Sequence, residues 1–308
     1  MTDTGSALAR LAAKGWRAAA VEASRVAELA EELAARRHGR ELDVGVCEAY
    51  AAYLQAETFD VPTGMRSLVV VANPQPQVEI IFQWRGRQRA LTLPPTYRYR
   101  QPDAAVVAAL GEALGSAHVA RAVVPVKLLA IRAGLGSYGR HNLCLVPGLG
   151  SFHRLAAFYT DVPLAQDTWQ PAQLHERCMG CRDCMRACPT GAIVEERWVV
   201  HAERCLTFMN EWPGAWPEWL SPKVHNAIVG CMLCQRACPE NAAVRNWRVW
   251  GGEFTEDETE LILAGTPLDA LPEPARAKAE AADLDQAWDV LPRNLAALLN
   301  DVDFSPRG

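Results

Sequence analysis

The sequence predicts an α+β domain followed by a ferredoxin-like domain that holds two 4Fe–4S clusters, and three observations carry that prediction. Eight of the ten cysteines fall between Cys178 and Cys238, seven of them in two runs that each end in Cys-Pro, with Cys205 between the runs. The residues before them alternate amphipathic helical patterns with short apolar runs of strand character. A glycine-rich segment, Gly134 to Gly150, lies toward the end of the first part. Residues 1–165 are expected to form the α+β domain, 166–250 the ferredoxin-like domain, and 251–308 a short helical C-terminal extension.

Taken in order, residues 4–37 are rich in Ala, Leu, Glu and Arg, and Val26, Leu29, Ala30 and Leu33 recur on one helical face, which predicts one or two helices. Residues 67–72 form an apolar, β-branched run, a buried strand. Residues 79–84 and 90–93 read as a hairpin turning near Gly86. Residues 103–114 have helical periodicity with Pro102 at the mouth, where a missing N–H is tolerated. Residues 123–126 are apolar and 127–133 read as a further helix. Gly134, Gly136, Gly139, Gly148 and Gly150 then require a backbone that turns or approaches something closely. This is not a dinucleotide loop, because a helix precedes it and no carboxylate follows at the ribose distance. Residues 162–174 are a linker, and the tail holds two short helices, 256–264 and 284–299.

A net charge of −5 supplies no bulk attraction for nucleic acid. No apolar run approaches the roughly 20 residues of a bilayer span, and the N-terminus lacks a signal core. A cytoplasmic protein without membrane contact, a monomer or small homo-oligomer, is the expectation. Arg85, Arg87, Arg89, Arg98 and Arg100 could receive an anion or simply be solvated.

The cysteine spacing is the strongest chemical signal. Cys178-x-x-Cys181-x-x-Cys184-x-x-x-Cys188-Pro189 is followed by Cys205 and then Cys231-x-x-Cys234-x-x-x-Cys238-Pro239. Short spacing wraps successive thiolates around one cubane, while the cysteine before proline reaches the other cluster. Cys178, Cys181, Cys184 and Cys238 are therefore expected on one cluster, and Cys188, Cys205, Cys231 and Cys234 on the other. Zinc favours separate CxxC knuckles, and a disulfide framework would not concentrate its cysteines in this way. The turn Thr190-Gly191-Ala192 offers amides to cluster sulfur, and Glu240 in the second run would differentiate the two potentials. Trp198, Trp212, Trp216, Trp219, Trp247 and Trp250 are expected to pack water away from the cubanes. Cys47 and Cys144 read as small buried hydrophobes, and His153, His175, His201 and His225 have no metal spacing.

Ala133-Gly134-Leu135-Gly136-x-x-Gly139-x-x-Asn142-x-x-Leu145, then Gly150-Ser151, Thr160-Asp161 and the dicluster pattern with Cys205, resembles the epoxyqueuosine reductase family of iron–sulfur and cobalamin enzymes. The likeness spans residues 67–246, and Leu291-Pro292-Arg293-Asn294 resembles the start of that family's helical-repeat module. The resemblance implies a nitroreductase-like first domain and a base-off cobalamin between the two domains, as in reductive dehalogenases. It also implies that Gly134, Leu135, Gly136, Gly139, His141 and Asn142 line the corrin, with His141 a possible axial donor.

Two departures from the family shape the functional expectation. The family's Asp-Tyr-His segment is replaced by Thr96-Tyr97-Arg98-Tyr99-Arg100-Gln101, so Tyr97 or Tyr99, beside the positive charge of Arg98, becomes the candidate acid. The helical-repeat extension is short. The expectation is a cobalamin-dependent reductase fed by ferredoxin or flavodoxin through two clusters, acting on a small molecule in preference to tRNA. An electron-transfer or corrinoid-activating protein, and an epoxyqueuosine reductase acting on tRNA, are the alternatives.

Overall fold

In a computed structural model the described residues are 4–98, 100–115, 118–164, 168–197 and 199–300. The first layer is a four-stranded antiparallel sheet with strand order β1 (Arg17–Glu22), β2 (Ser67–Pro74), β8 (His153–Thr160), β5 (Val119–Arg121). Strand β2 is central, and its residues from Ser67 to Asn73 are buried. Because side chains alternate along a strand, Leu68, Val70 and Ala72 face the core made with helices Val26–His38 and Val126–Arg132. Val69 and Val71 face helices Thr4–Ala13 and Arg100–Leu114. A sheet covered on both sides explains why β2 reads as one apolar run.

Strand β1 lies inside the stretch expected to be helical. Its Arg-Ala-Ala-Ala-Val-Glu sequence favours helix locally, but it pairs residue for residue with β2, and Ala20 and Val21 enter opposite cores. Tertiary pairing overrides propensity there.

The hairpin β3 (Gln77–Trp84) and β4 (Arg87–Leu93) turns on Arg85 and Gly86, both in the left-handed region at φ 51° and 68°. The short strands β6 (Ser137–Tyr138) and β7 (Cys144–Leu145) flank a loop in the glycine-rich segment. Strand β9 (Arg248–Phe254) comes after the last cysteine and pairs in parallel with β3. Phe82 and Phe254 stack at 5.0 Å. Helices Glu256–Leu263, Glu273–Ala281 and Leu291–Asn300 bury Ile262, Ala279, Leu291, Leu295 and Leu299 in the same core as Val78, Ile80 and Phe82. Residues beyond 251 thus share a core with the hairpin rather than forming a separate appendage. Among the described residues no helix is long and apolar enough to cross a membrane.

The arginine-rich stretch does not converge on one site. The backbone N–H groups of Arg85 and Gly86 donate to Glu256, Arg87 is exposed, and Arg100 pairs with Asp285.

Candidate functional site

The eight cysteines gather in two neighbouring groups, Cys178, Cys181, Cys184 and Cys238 in one and Cys188, Cys205, Cys231 and Cys234 in the other. Helices Asp183–Ala187 and Leu233–Ala237 pack against each other, the first carrying Cys184 and the second Cys234, and each is stopped by an extended Cys followed by Pro. Cys178, Cys181, Cys184 and Cys238 ring one cavity with Arg140, His141, Arg177, Pro239 and Glu240. Cys205 feels Cys188, Cys231 feels Cys205 and Cys188, and Cys234 feels all three, together with Cys184 of the first set. Burial, then mutual repulsion, pushes the Cys184 thiol up to about 11 and Cys234 well above its ordinary value. Thiols packed this densely fit a group that draws off their negative charge, as an iron–sulfur cubane does.

The surroundings match that donor set. Asn226 Nδ2 donates to Cys231 Sγ at 3.2 Å, and Thr190 Oγ1 lies 3.5 Å from Cys188 Sγ. Glu240 sits at the first cavity, where Arg177 neutralises it at 2.8 Å. The tryptophans depart from expectation: Trp219 and Trp250 are 53% and 70% exposed, so they cannot dry the cubanes. Trp216 is stacked on His225 at 3.9 Å, and Trp198 lies outside the described residues.

The first domain is fastened to the clusters by its glycine-rich segment. Gly150, at φ 55°, leaves room for Asn241, which a Cβ there would meet at 2.1 Å. Asn241 accepts from Ser151 N at 2.8 Å and donates to Ser151 Oγ at 2.9 Å and Gln235 O at 2.7 Å. From the C-terminal side, Arg293 Nη2 donates to Met209 O at 2.9 Å, and Asn294 Nδ2 to Asn210 O and Ile228 O at 3.0 and 3.1 Å. These two residues of the Leu-Pro-Arg-Asn motif clamp both approaches to the second cysteine set.

The six residues expected to line a corrin share the loop that runs from helix Val126–Arg132 through β6 toward β7, and they have different surroundings. Gly134 caps helix Val126–Arg132 at φ 74° and, with Leu135, borders a depression with Arg17, Val146 and Thr168. A Cβ on Gly136 would lie 2.4 Å from Leu145 O, and one on Gly139 would lie 2.4 Å from the His141 ring, so both are required by the loop's own packing. His141 enters the first cysteine cavity. Asn142 alone of the six meets Lys127, whose Nζ lies 3.3 Å from its carbonyl and 3.4 Å from Oδ1.

Lys127 stands between Asn142 and Glu211. Its side chain is exposed, yet surrounding protein lowers its ammonium pKa by desolvation, against the opposing pull of Cys205 and Glu211. Glu211 ends helix Leu206–Glu211, which starts at Cys205. The hydroxyls of Tyr50 and Tyr97 both donate to it. Burial raises the Glu211 pKa and favours the neutral carboxyl. Burial, then Glu211, raises both tyrosines. Gly230, at φ 69°, admits the Tyr97 ring, which a Cβ would strike at 2.3 Å. Tyr97 thus reaches the junction between the domains, Arg98 follows it at the same half-buried bend, and Tyr99 lies outside the described residues. Glu211 carries no sequence motif, and nothing in the chain order signals that it meets Tyr97.

Residues 177–241 match the family described as a 4Fe-4S double cluster binding domain. The epoxyqueuosine reductase of Escherichia coli K12 is 46% identical over 81 residues, covering 26% of this chain and 20% of that protein. That of Burkholderia pseudomallei is 33% identical over 178 residues, covering 53% of this chain and 42% of the relative. The chain therefore matches less than half the length of either. An epoxyqueuosine reductase solved with an epoxyqueuosine-modified tRNA stem loop shares the fold over 92% of this chain and 76% of that one, with a TM-score of 0.62 and 19% identity. That fold was solved on RNA, which overturns the expectation of a small molecule in preference to tRNA. The preference rested on net charge and a short tail, and net charge does not report the local field of a binding face. By sequence through the dicluster segment and by fold along most of its length, the chain is a homologue of the epoxyqueuosine reductases, a class of iron–sulfur and cobalamin enzymes.

Proposed function

We propose that the protein reduces an epoxide-bearing modified nucleoside in tRNA, of the epoxyqueuosine type, using a cobalamin held in the cleft beside Lys127, Asn142, Tyr97 and Glu211. The carrying observation is Glu211, a half-buried carboxyl held by two tyrosines at the end of the helix capped by the proposed cluster ligand Cys205. Removing an epoxide oxygen as water consumes two electrons and two protons, so the site needs an electron path and an acid. Bound cobalamin would supply the low-potential metal chemistry and the clusters its electrons.

The chain supplies one of the two protons from Glu211, and solvent supplies the other. The Thr96–Gln101 stretch has no carboxyl, and Glu211 reaches the same place from a distant part of the chain, with Tyr97 hydrogen-bonded to it. Burial raises the carboxyl's pKa, the direction a general acid requires, while the hydrogen bonds from Tyr50 and Tyr97 and the charge of Lys127 pull it down. Once the proton has left, Tyr50, Tyr97 and the Lys127 ammonium stabilise the carboxylate.

The test is anaerobic incubation of the cluster- and cobalamin-loaded protein with tRNA bearing the epoxide, followed by mass analysis of the released nucleosides. Loss of one oxygen is expected. Glu211→Gln should lower the single-turnover rate by about 10²-fold or more, the usual range for a general acid, with tRNA binding retained. Unchanged nucleoside after full reduction of the clusters would reject the reading.

A further inference from the structure

We infer that His141 is a hydrogen-bond donor to the cluster on Cys178, Cys181, Cys184 and Cys238, so that the first domain sets the potential of a cluster carried by the second. The inference rests on the cluster reading and is independent of the substrate.

The side-chain geometry fixes which nitrogen carries the proton. His141 sits in the loop between β6 and β7, where Leu143 N donates to its Nδ1 at 3.2 Å. A nitrogen that accepts carries no hydrogen, so the neutral ring has its proton on Nε2. His141 is 6% exposed, and its Nε2 has no hydrogen-bond partner in the protein. An unpaired buried donor is costly, and such groups are rare unless a ligand completes them. This one lines the cavity ringed by the four cysteines.

The ring is held in place from two sides. It lies flat over Gly139, where any Cβ would collide with its Cε1 at 2.4 Å and Nδ1 at 2.8 Å. Neighbouring Arg140 pins the loop to the cluster segment, with Nη2 donating to Cys178 O at 2.9 Å and Nη1 to Glu195 O at 3.3 Å. Gly139 is therefore required by the histidine, which gives that glycine a purpose other than contact with a macrocycle. A hydrogen bond to a thiolate or sulfide withdraws electron density and stabilises the more negative, reduced cluster, raising its potential.

The experiment is a potentiometric titration of the anaerobically purified protein followed by electron paramagnetic resonance. In His141→Leu one of the two clusters should titrate at lower potential while the other stays where it was. His141→Gln, which presents an N–H at similar reach, should restore it. Wild-type potentials in His141→Leu, with about eight irons per chain retained, would overturn the proposal. Should His141→Leu fail to hold its clusters, wild-type protein carrying 15N-labelled histidine decides: a reduced cluster with a weak 15N coupling and an exchangeable proton supports the bond, and their absence refutes it. Protein with no iron at all would instead refute the cluster reading beneath it.

Discussion

Gly150 and Asn241 show how single positions hold the two domains together. Gly150→Ala must displace the Asn241 amide, 2.1 Å from the new Cβ, and strain a left-handed backbone. Asn241→Ala leaves Ser151 N without its acceptor. Each is expected to cost about 2–4 kcal/mol by the usual cost of breaking a buried polar network, read as a lower urea midpoint, with Asn241→Asp milder than Asn241→Ala. Gly230→Ala should act differently: by pushing Tyr97 off Glu211 it is expected to lower turnover more than stability. Glu211 also predicts a pH effect. Its folded-state pKa is raised, so its contribution is complete below the unfolded value and is lost as pH rises through the folded one. Glu211→Gln should flatten the decline in stability on the alkaline side of pH 4.5, the group's ordinary value.

At the scale of elements, legibility follows how local the cause is. Strand β2 declares itself as one apolar run because it is buried along its length, and β3, β4 and the helices Val26–His38, Arg100–Leu114 and Val126–Arg132 show themselves in local sequence pattern. Strands β1 and β8 do not, since an alanine run and a mixed run become strands only by lying beside β2. The cysteine sets are legible because cluster geometry dictates spacing within a few residues. Glu211 is not, because only the tertiary fold brings it to Tyr50 and Tyr97. The bend holding Trp216 and His225 likewise shows itself only in three dimensions. Burial, then the charge of Arg293, lowers His225 to about 4, and Arg293 lies over the Trp216 ring at 4.7 Å. Folding thus favours the neutral imidazole, and the stability it contributes is present above pH 6.5 and lost as pH falls through about 4. His225→Phe should remove up to about 1.4 kcal/mol per pH unit of that acid sensitivity, measured by urea unfolding between pH 7 and 5.

The whole molecule is closed by its C-terminal residues. Leu295 is fully buried against the hairpin core, and Leu295→Ala is expected to cost about 2–5 kcal/mol. A chain ending at residue 255 would lose both that core and the Arg293–Asn294 clamp on Met209, Asn210 and Ile228. It should be recovered insoluble or with depleted iron, whereas a soluble chain with full cluster content would contradict the clamp.

The parallel pairing of β3 with β9 also sets a timetable for synthesis on the ribosome. The N–H of Arg85 awaits Glu256, 171 residues later. At 5–20 residues per second the interval is roughly ten to thirty seconds, during which Val78, Ile80 and Phe82 have emerged without the layer that covers them. The nascent chain therefore presents an apolar hairpin to chaperones throughout the time in which the eight clustered cysteines, Cys178 to Cys238, are being made.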